Sequence, residues 1–129
     1  MIVQMSALIV VILCAIISIF QFLLAIGKPL GYLAFGGKYE KVLPKKLRMM
    51  SVIAIGIFIF TSLVVLDLAN FISLFLDPLI PIIALWVLAF YFVLNTFTNA
   101  VSMSKWEKRI MTPISLIMSV FCFIVVTLA

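Results

Sequence analysis

Four apolar runs divide this sequence, at about 2–26, 44–67, 78–101 and 113–128. Each is close to the length of one bilayer crossing, which takes roughly 20 helical residues. The chain is 67% hydrophobic and only 10% charged over its 129 residues. A soluble domain carries about 45–50% apolar and about 25% charged residues, and no soluble core of this size absorbs the excess. The expected fold is therefore all-α, a membrane-embedded four-helix bundle occupying residues 1–129 as a single domain.

The ends of the runs carry helix grammar. The first run closes on Gly27-Lys28-Pro29: a glycine for the left-handed turn, a cation for the helix C-terminus, then a proline that cannot continue it. It is no cleavable signal by pattern, because it has no basic leader and its apolar stretch is too long. Pro44 suits the opening of the second helix, since the N–H it lacks is unpaired in that position anyway. Asp77-Pro78 and Thr112-Pro113 pair a capping side chain with a proline, and so predict the starts of the third and fourth helices.

Charge sets an orientation. All nine Lys and Arg residues lie in the first and third connections. Lys28, Lys38, Lys41, Lys45, Lys46 and Arg48 are in the first, and Lys105, Lys108 and Arg109 in the third. The second connection holds only Asp67 and Asp77. By the positive-inside rule the two basic connections are cytoplasmic and both termini are outside. So strong a bias argues against antiparallel dual-topology exporters, which need a weak one and a carboxylate deep in a span. The basic face needs no nucleic acid to explain it. Attraction to anionic lipid headgroups, about 1 kcal/mol per Lys or Arg near the surface, is sufficient.

Redox and metal chemistry find little support. There is no histidine, and Cys14 and Cys122 sit alone within apolar runs, with no CxxC pair. A thiolate at that depth is disfavoured by desolvation. No cofactor and no metal site is expected.

Polar and small residues recur at helical spacing. The stripes are Ala7, Cys14, Ser18, Gln21 and Ala25 on the first helix and Ser51, Phe58 and Ser62 on the second. Asn95, Asn99, Ser102 and Trp106 line up on the third, and Ser115, Ser119 and Cys122 on the fourth. They mark the faces turned away from lipid. Such residues ordinarily serve packing, at about 0.6–2 kcal/mol each. The functional alternative is a cavity open to the cytoplasm and lined by Gln21, Asn95 and Asn99, with Ser102 beside them, at similar depth near the basic ends of their helices.

The first connection is long for a link between helices. It mixes Tyr32, Phe35 and Tyr39 with lysines around Gly36-Gly37. Aromatic rings and snorkelling lysines suit the headgroup layer. Lys28, Tyr32, Lys38, Lys45, Lys46, Lys105 and Trp106 are accordingly the expected headgroup contacts. A short re-entrant turn that closes the cavity is the sharper alternative. The glycine spacing fits no phosphate-binding loop.

Two segments resemble a family of small four-span bacterial membrane proteins of uncharacterised activity. One runs through Gly27-Lys28-Pro29-Leu30-Gly31, Gly36-Gly37 and Leu43-Pro44-Lys45-Lys46-Leu47-Arg48. The other contains Ser102-Met103-Ser104-Lys105-Trp106-Glu107. Members often carry tryptophan at the position of Phe35, and Gly-Ala-Pro where this chain has Gly27-Lys28-Pro29. The resemblance covers most of the chain and implies a four-span fold in a bacterial plasma membrane. It implies no activity. It also directs attention to Arg48 and Glu107, both expected at the cytoplasmic membrane edge, as an ion pair that would lock the first connection against the third.

Three function classes stay open. A structural, regulatory or accessory membrane protein needs nothing more than is visible. A small-solute transporter or channel, or a lipid-binding protein, would use the amide-lined cavity, as a homo-oligomer or with a membrane-protein partner. A lipid-modifying enzyme lacks a histidine base, a carboxylate pair and a metal cluster, so no enzymatic activity is expected.

Overall fold

The first helix, α1 (Ile2–Ala25), stops as its sequence prescribes. Gly27 takes the left-handed conformation, at φ 95°. The Lys28 N–H bonds back to the Leu23 carbonyl at 3.0 Å and the Gly27 N–H to Leu24 at 3.2 Å. That pair of bonds is a Schellman motif, and it satisfies carbonyls that the helix end would otherwise leave open. The second helix, α2 (Lys45–Leu68), ends the same way with Asn70 in the glycine's place, at φ 66°. Asn70 N–H meets Asp67 O and Phe71 N–H meets Leu66 O, both at 3.0 Å. The Asp67 carboxylate then accepts from the Leu74 and Phe75 amides at 2.8 and 3.0 Å, which folds the short connection back on itself.

The third helix, α3 (Leu79–Ala100), opens with Asp77 Oδ1 accepting from the Leu79 N–H at 2.9 Å, the capping role its sequence gave it. The fourth, α4 (Lys105–Leu128), departs from the sequence expectation. It starts at Lys105 rather than at Pro113, which lies inside it. Its cap is Ser104, whose hydroxyl accepts from the Glu107 N–H at 3.3 Å. A serine followed three residues later by a glutamate is a capping signal, and here it overrides the proline. Ser104→Ala should cost about 1 kcal/mol. Thermal unfolding in detergent reads that loss, and faster amide exchange confined to the first turn of α4 locates it.

These elements come from a computed structural model that describes residues 1–28, 44–102 and 104–129. Among the described residues there is no strand. All four helices are long and apolar enough to cross a membrane. The chain is a four-helix bundle and a multi-pass membrane protein. The expected roles of Tyr32, Lys38 and Gly36-Gly37 fall outside the described residues.

Neighbouring helices run antiparallel. Gln4 Nε2 donates to Ala69 O at 3.2 Å at one end of the α1–α2 pair, and Arg48 Nε donates to Ala25 O at 3.0 Å at the other. The α1–α2 and α3–α4 hairpins are each closely packed and meet through α1 and α4, whereas the α2–α3 seam is lighter. The basic residues Lys28, Lys45, Lys46, Arg48, Lys105, Lys108 and Arg109 thus collect at one end of the bundle, and Asp67 and Asp77 at the other.

The core at the acidic half is filled by Val10, Cys14, Val64, Val65, Leu85, Ala89, Cys122 and Val125, with essentially no exposed surface. Both cysteines are free. The outside is a coat of exposed Ile, Leu, Val and Phe. Lipid tails are as apolar as these side chains, so what holds the helices together is packing and hydrogen bonding between them. The inward hydroxyls divide into two kinds. Ser51 and Ser62 bond the carbonyls of Leu47 and Phe58 in their own helix. Ser119 crosses from α4 to Ala89 O of α3 at 3.3 Å.

Candidate functional site

The basic half of the bundle is hollow. A cavity of about 520 Å³ is walled by all four helices, within the range of about 300–1,000 Å³ of small-molecule sites. Its floor is the boundary with the close-packed half. There Phe58 and Phe92 stack with ring centroids 6.1 Å apart and planes at 13°. Ile17 and Met118, also buried, complete the floor from α1 and α4.

The polar lining comes from the helix segments nearest the basic end: Gln21 of α1, Asn95, Thr98 and Asn99 of α3, and Glu107 and Ser115 of α4. The antiparallel arrangement explains why they meet. The C-terminal turns of α1 and α3 lie beside the N-terminal turns of α2 and α4. Asn99 is fastened to the α4 wall, its Nδ2 donating to Ser115 Oγ at 2.8 Å and to Met111 O at 3.4 Å. Gln21 Oε1 is buried with no hydrogen-bond partner among the described residues. Glu107 is only 4% exposed.

The mouth of the cavity can be located from exposure. Among the described residues, the lining side chains that are also exposed are all on α2 and α3: Met50, Ile53, Tyr91 and Thr98, with Ile53 reaching 62%. The cavity therefore opens sideways through the lightly packed α2–α3 seam, on a face a bilayer would cover. Apolar walls from Ile53 and Ile57 of α2 lead in from that side.

The sequence-derived residues are thus sorted. Gln21, Asn95 and Asn99 line one cavity, as expected from their depth. Ser102 does not. It is buried in the α3–α4 turn, where its hydroxyl accepts from the Ser104 N–H at 3.0 Å. Trp106 leaves the inward stripe because α3 ends at Ala100 and α4 starts afresh at Lys105, and it is 57% exposed. Lys28, Lys45, Lys46 and Lys105 are exposed at the basic end.

Arg48, expected opposite Glu107, is engaged at the end of α1. Its Nε bonds Ala25 O, and its guanidinium lies over Gly27, where a built Cβ would come within 3.3 Å of Nη2. No ion pair joins Arg48 to Glu107 among the described residues. Sequence reasoning missed the cavity positions of Glu107 and Ser115 and the aromatic floor. The Ser104-x-x-Glu107 spacing was the available signal, because it extends α4 by about two turns and turns Glu107 inward with it.

Among the described residues no group of His, Cys, Asp and Glu is placed to hold a metal ion. The fold and cavity together define a multi-pass membrane bundle with a polar-ended hollow that, among the described residues, is open laterally. Neither a protein-family model, nor a curated protein, nor a solved structure matches the chain.

Proposed function

We propose that this protein binds a small amphiphile, a lipid or a lipid-sized solute, in the hollow at its basic end. One observation carries the reading: Gln21, Asn95, Asn99 and Glu107 converge on a single cavity whose apolar approach opens through the α2–α3 seam. A purely structural or accessory bundle has no use for half-buried amides around an opening. Leaving a buried acceptor such as Gln21 Oε1 without a partner among the described residues costs free energy. An unpartnered Gln21 Oε1 is what a site built for a hydrogen-bonding ligand retains.

The proposed setting is a bacterial plasma membrane with the basic end in the cytoplasm and both termini outside. The nine-to-none division of Lys and Arg supports it. Exposed Lys28, Lys45, Lys46, Lys105 and Trp106 then lie at the headgroup layer. Reporter fusions at the C-terminus check the orientation, an active cytoplasmic reporter there being the contrary result.

The binding reading is tested by extracting the purified protein and measuring small amphiphiles that travel with it. The chain should carry one in near-equal molar amount, and Asn95→Leu, which places an apolar side chain at the polar end, should lose it. Two equally empty preparations, unmoved in thermal stability by added lipid extract, would return the protein to the structural or accessory class.

A further inference from the structure

The connection between α2 and α3 is apolar where a water-facing loop would be polar. It contains Phe71-Ile72-Ser73-Leu74-Phe75-Leu76. Phe71, Ile72, Leu74 and Leu76 are all exposed, Leu76 wholly so. Single exposed apolar side chains are ordinary, but a contiguous set marks a surface made for a partner. Phe75 is the exception. It turns back onto α2, its ring edge-on to Phe60 with centroids 6.4 Å apart, and tacks the segment down while its neighbours face out.

Depth and backbone both point to lipid as that partner. Along α2, Arg48 to Asp67 spans about 28 Å at about 1.5 Å per residue, and the hydrocarbon layer is about 30 Å thick. With the cations that open α2 at one edge of that layer, Asp67 stands at the other edge, and the connection begins there. Each N–H left open at the edge of the apolar layer is costly, so irregular chain must satisfy its own. The amides of Ala69, Asn70, Phe71 and Ile72 bond back to α2 carbonyls. Those of Leu74 and Phe75 share Asp67 Oδ2 at 2.8 and 3.0 Å. Leu79 and Ile80 donate to Asp77, and Pro78 has no N–H to satisfy. Gln4 closes the Ala69 carbonyl. Among the described residues of the connection, only the amides of Ser73, Leu76 and Asp77 are left for headgroups and their water. A loop in water has no need of so closed a backbone. No Lys or Arg lies between Arg48 and Lys105, so nothing on this segment draws anionic headgroups. The contact is an apolar one.

We infer that residues 71–76 form a shallow apolar wedge seated in the lipid leaflet at the acidic end of the bundle, where headgroups meet acyl chains, with the Asp67 carboxylate holding its backbone closed. The wedge fixes the height of α2 and α3 through lipid, at the seam where helix packing is lightest. This placement depends neither on the binding reading above nor on which end faces the cytoplasm.

The test footprints the unaltered full chain in phosphatidylcholine nanodiscs with three diazirine probes, adducts being located by mass spectrometry. One probe is a phosphatidylcholine with the diazirine beside its ester carbonyl, one carries it at the chain end, and one is a water-soluble, sugar-linked diazirine. The first should label Phe71, Leu74 and Leu76. The second should label Ile59, exposed in mid-span on α2, and pass these by. Labelling of the segment by the sugar-linked probe alone would put it in water, and labelling by none of the three would put a second copy over it. Either result overturns the wedge. Asp67→Leu removes the shared acceptor, so the Leu74 and Phe75 amides should exchange about tenfold faster, the loss of a charge-assisted hydrogen bond, and the shallow adducts should fall. Asp67→Asn, which keeps one accepting oxygen, should retain most of them. Asp67→Leu labelled like the parent would overturn the part given to the carboxylate. The footprint of the unaltered chain stands even where these variants fold poorly.

Discussion

Phe92→Ala is expected to lower stability by about 2–3 kcal/mol and to run the cavity into the core below it. Phe92 is 1% exposed and stacked on Phe58, at the boundary between the hollow and the close-packed halves. Removing a buried phenylalanine from a soluble core costs about 3–5 kcal/mol. Part of that is transfer from water, and it shrinks in a bilayer because lipid is itself apolar. The packing loss remains, and so does the void. Phe92→Leu keeps most of the volume and should cost about half as much. Unfolding in a graded series of denaturing detergent measures both. A Phe92→Ala protein as stable as the parent would mean that the aromatic pair is no floor and that the two halves are not mechanically distinct.

The second large effect is expected where α1 meets α2. Gly27 holds a backbone conformation that an L-residue adopts only with strain, about 1–2 kcal/mol, and any side chain there meets the Arg48 guanidinium. Arg48 cannot retreat freely, because its Nε is bonded to Ala25 O. Gly27→Ala should therefore destabilise by about 2–3 kcal/mol, the strain plus part of a charged hydrogen bond. Arg48→Met should cost about 1.5–3 kcal/mol by losing that bond and the cation at the C-terminus of α1. The two losses are expected to be less than additive by about 0.5–1 kcal/mol, since without the guanidinium the alanine keeps its strain but loses its clash. Strict additivity in the four-protein cycle would show that the glycine and the arginine act independently.

Much of this architecture is legible in the residues because membrane helices obey few rules and obey them strictly. Run length gave four spans, and the end signals at Gly27 and Asp77 work as their chemistry dictates. The depth of Gln21, Asn95 and Asn99 along their runs was enough to bring them to one cavity, since antiparallel helices of equal length place equal depths side by side.

The failures have a common cause. Helical periodicity was carried across residues 101–104, where the chain leaves one helix and starts another, so Ser102 and Trp106 were assigned to a stripe that does not reach them. Thr112-Pro113 predicts the start of α4, yet Pro113 sits in the third turn of a helix already nucleated by a cap, at the cost of one backbone hydrogen bond. That shift of about two turns is what moves Glu107 from a surface connection into the wall of the cavity. Arg48 illustrates a different limit. Charge pairing seen in one dimension offers a carboxylate as the partner, but the end of α1 presents bare carbonyls nearer by.

The division of the bundle into an open half and a filled half has a kinetic meaning. Anything that enters at the α2–α3 seam reaches the stacked rings and then side chains such as Val10, Val64, Leu85 and Val125, which have no accessible surface at all. Under the binding reading, and among the described residues, a single copy in this conformation would be a cul-de-sac whose occupant would leave by the door it came in. Under that reading, residence time would be set at the α2–α3 opening, not by any passage through the far side. Net movement across the bilayer would require the Phe58–Phe92 stack to separate and the valines beneath it to repack during every cycle.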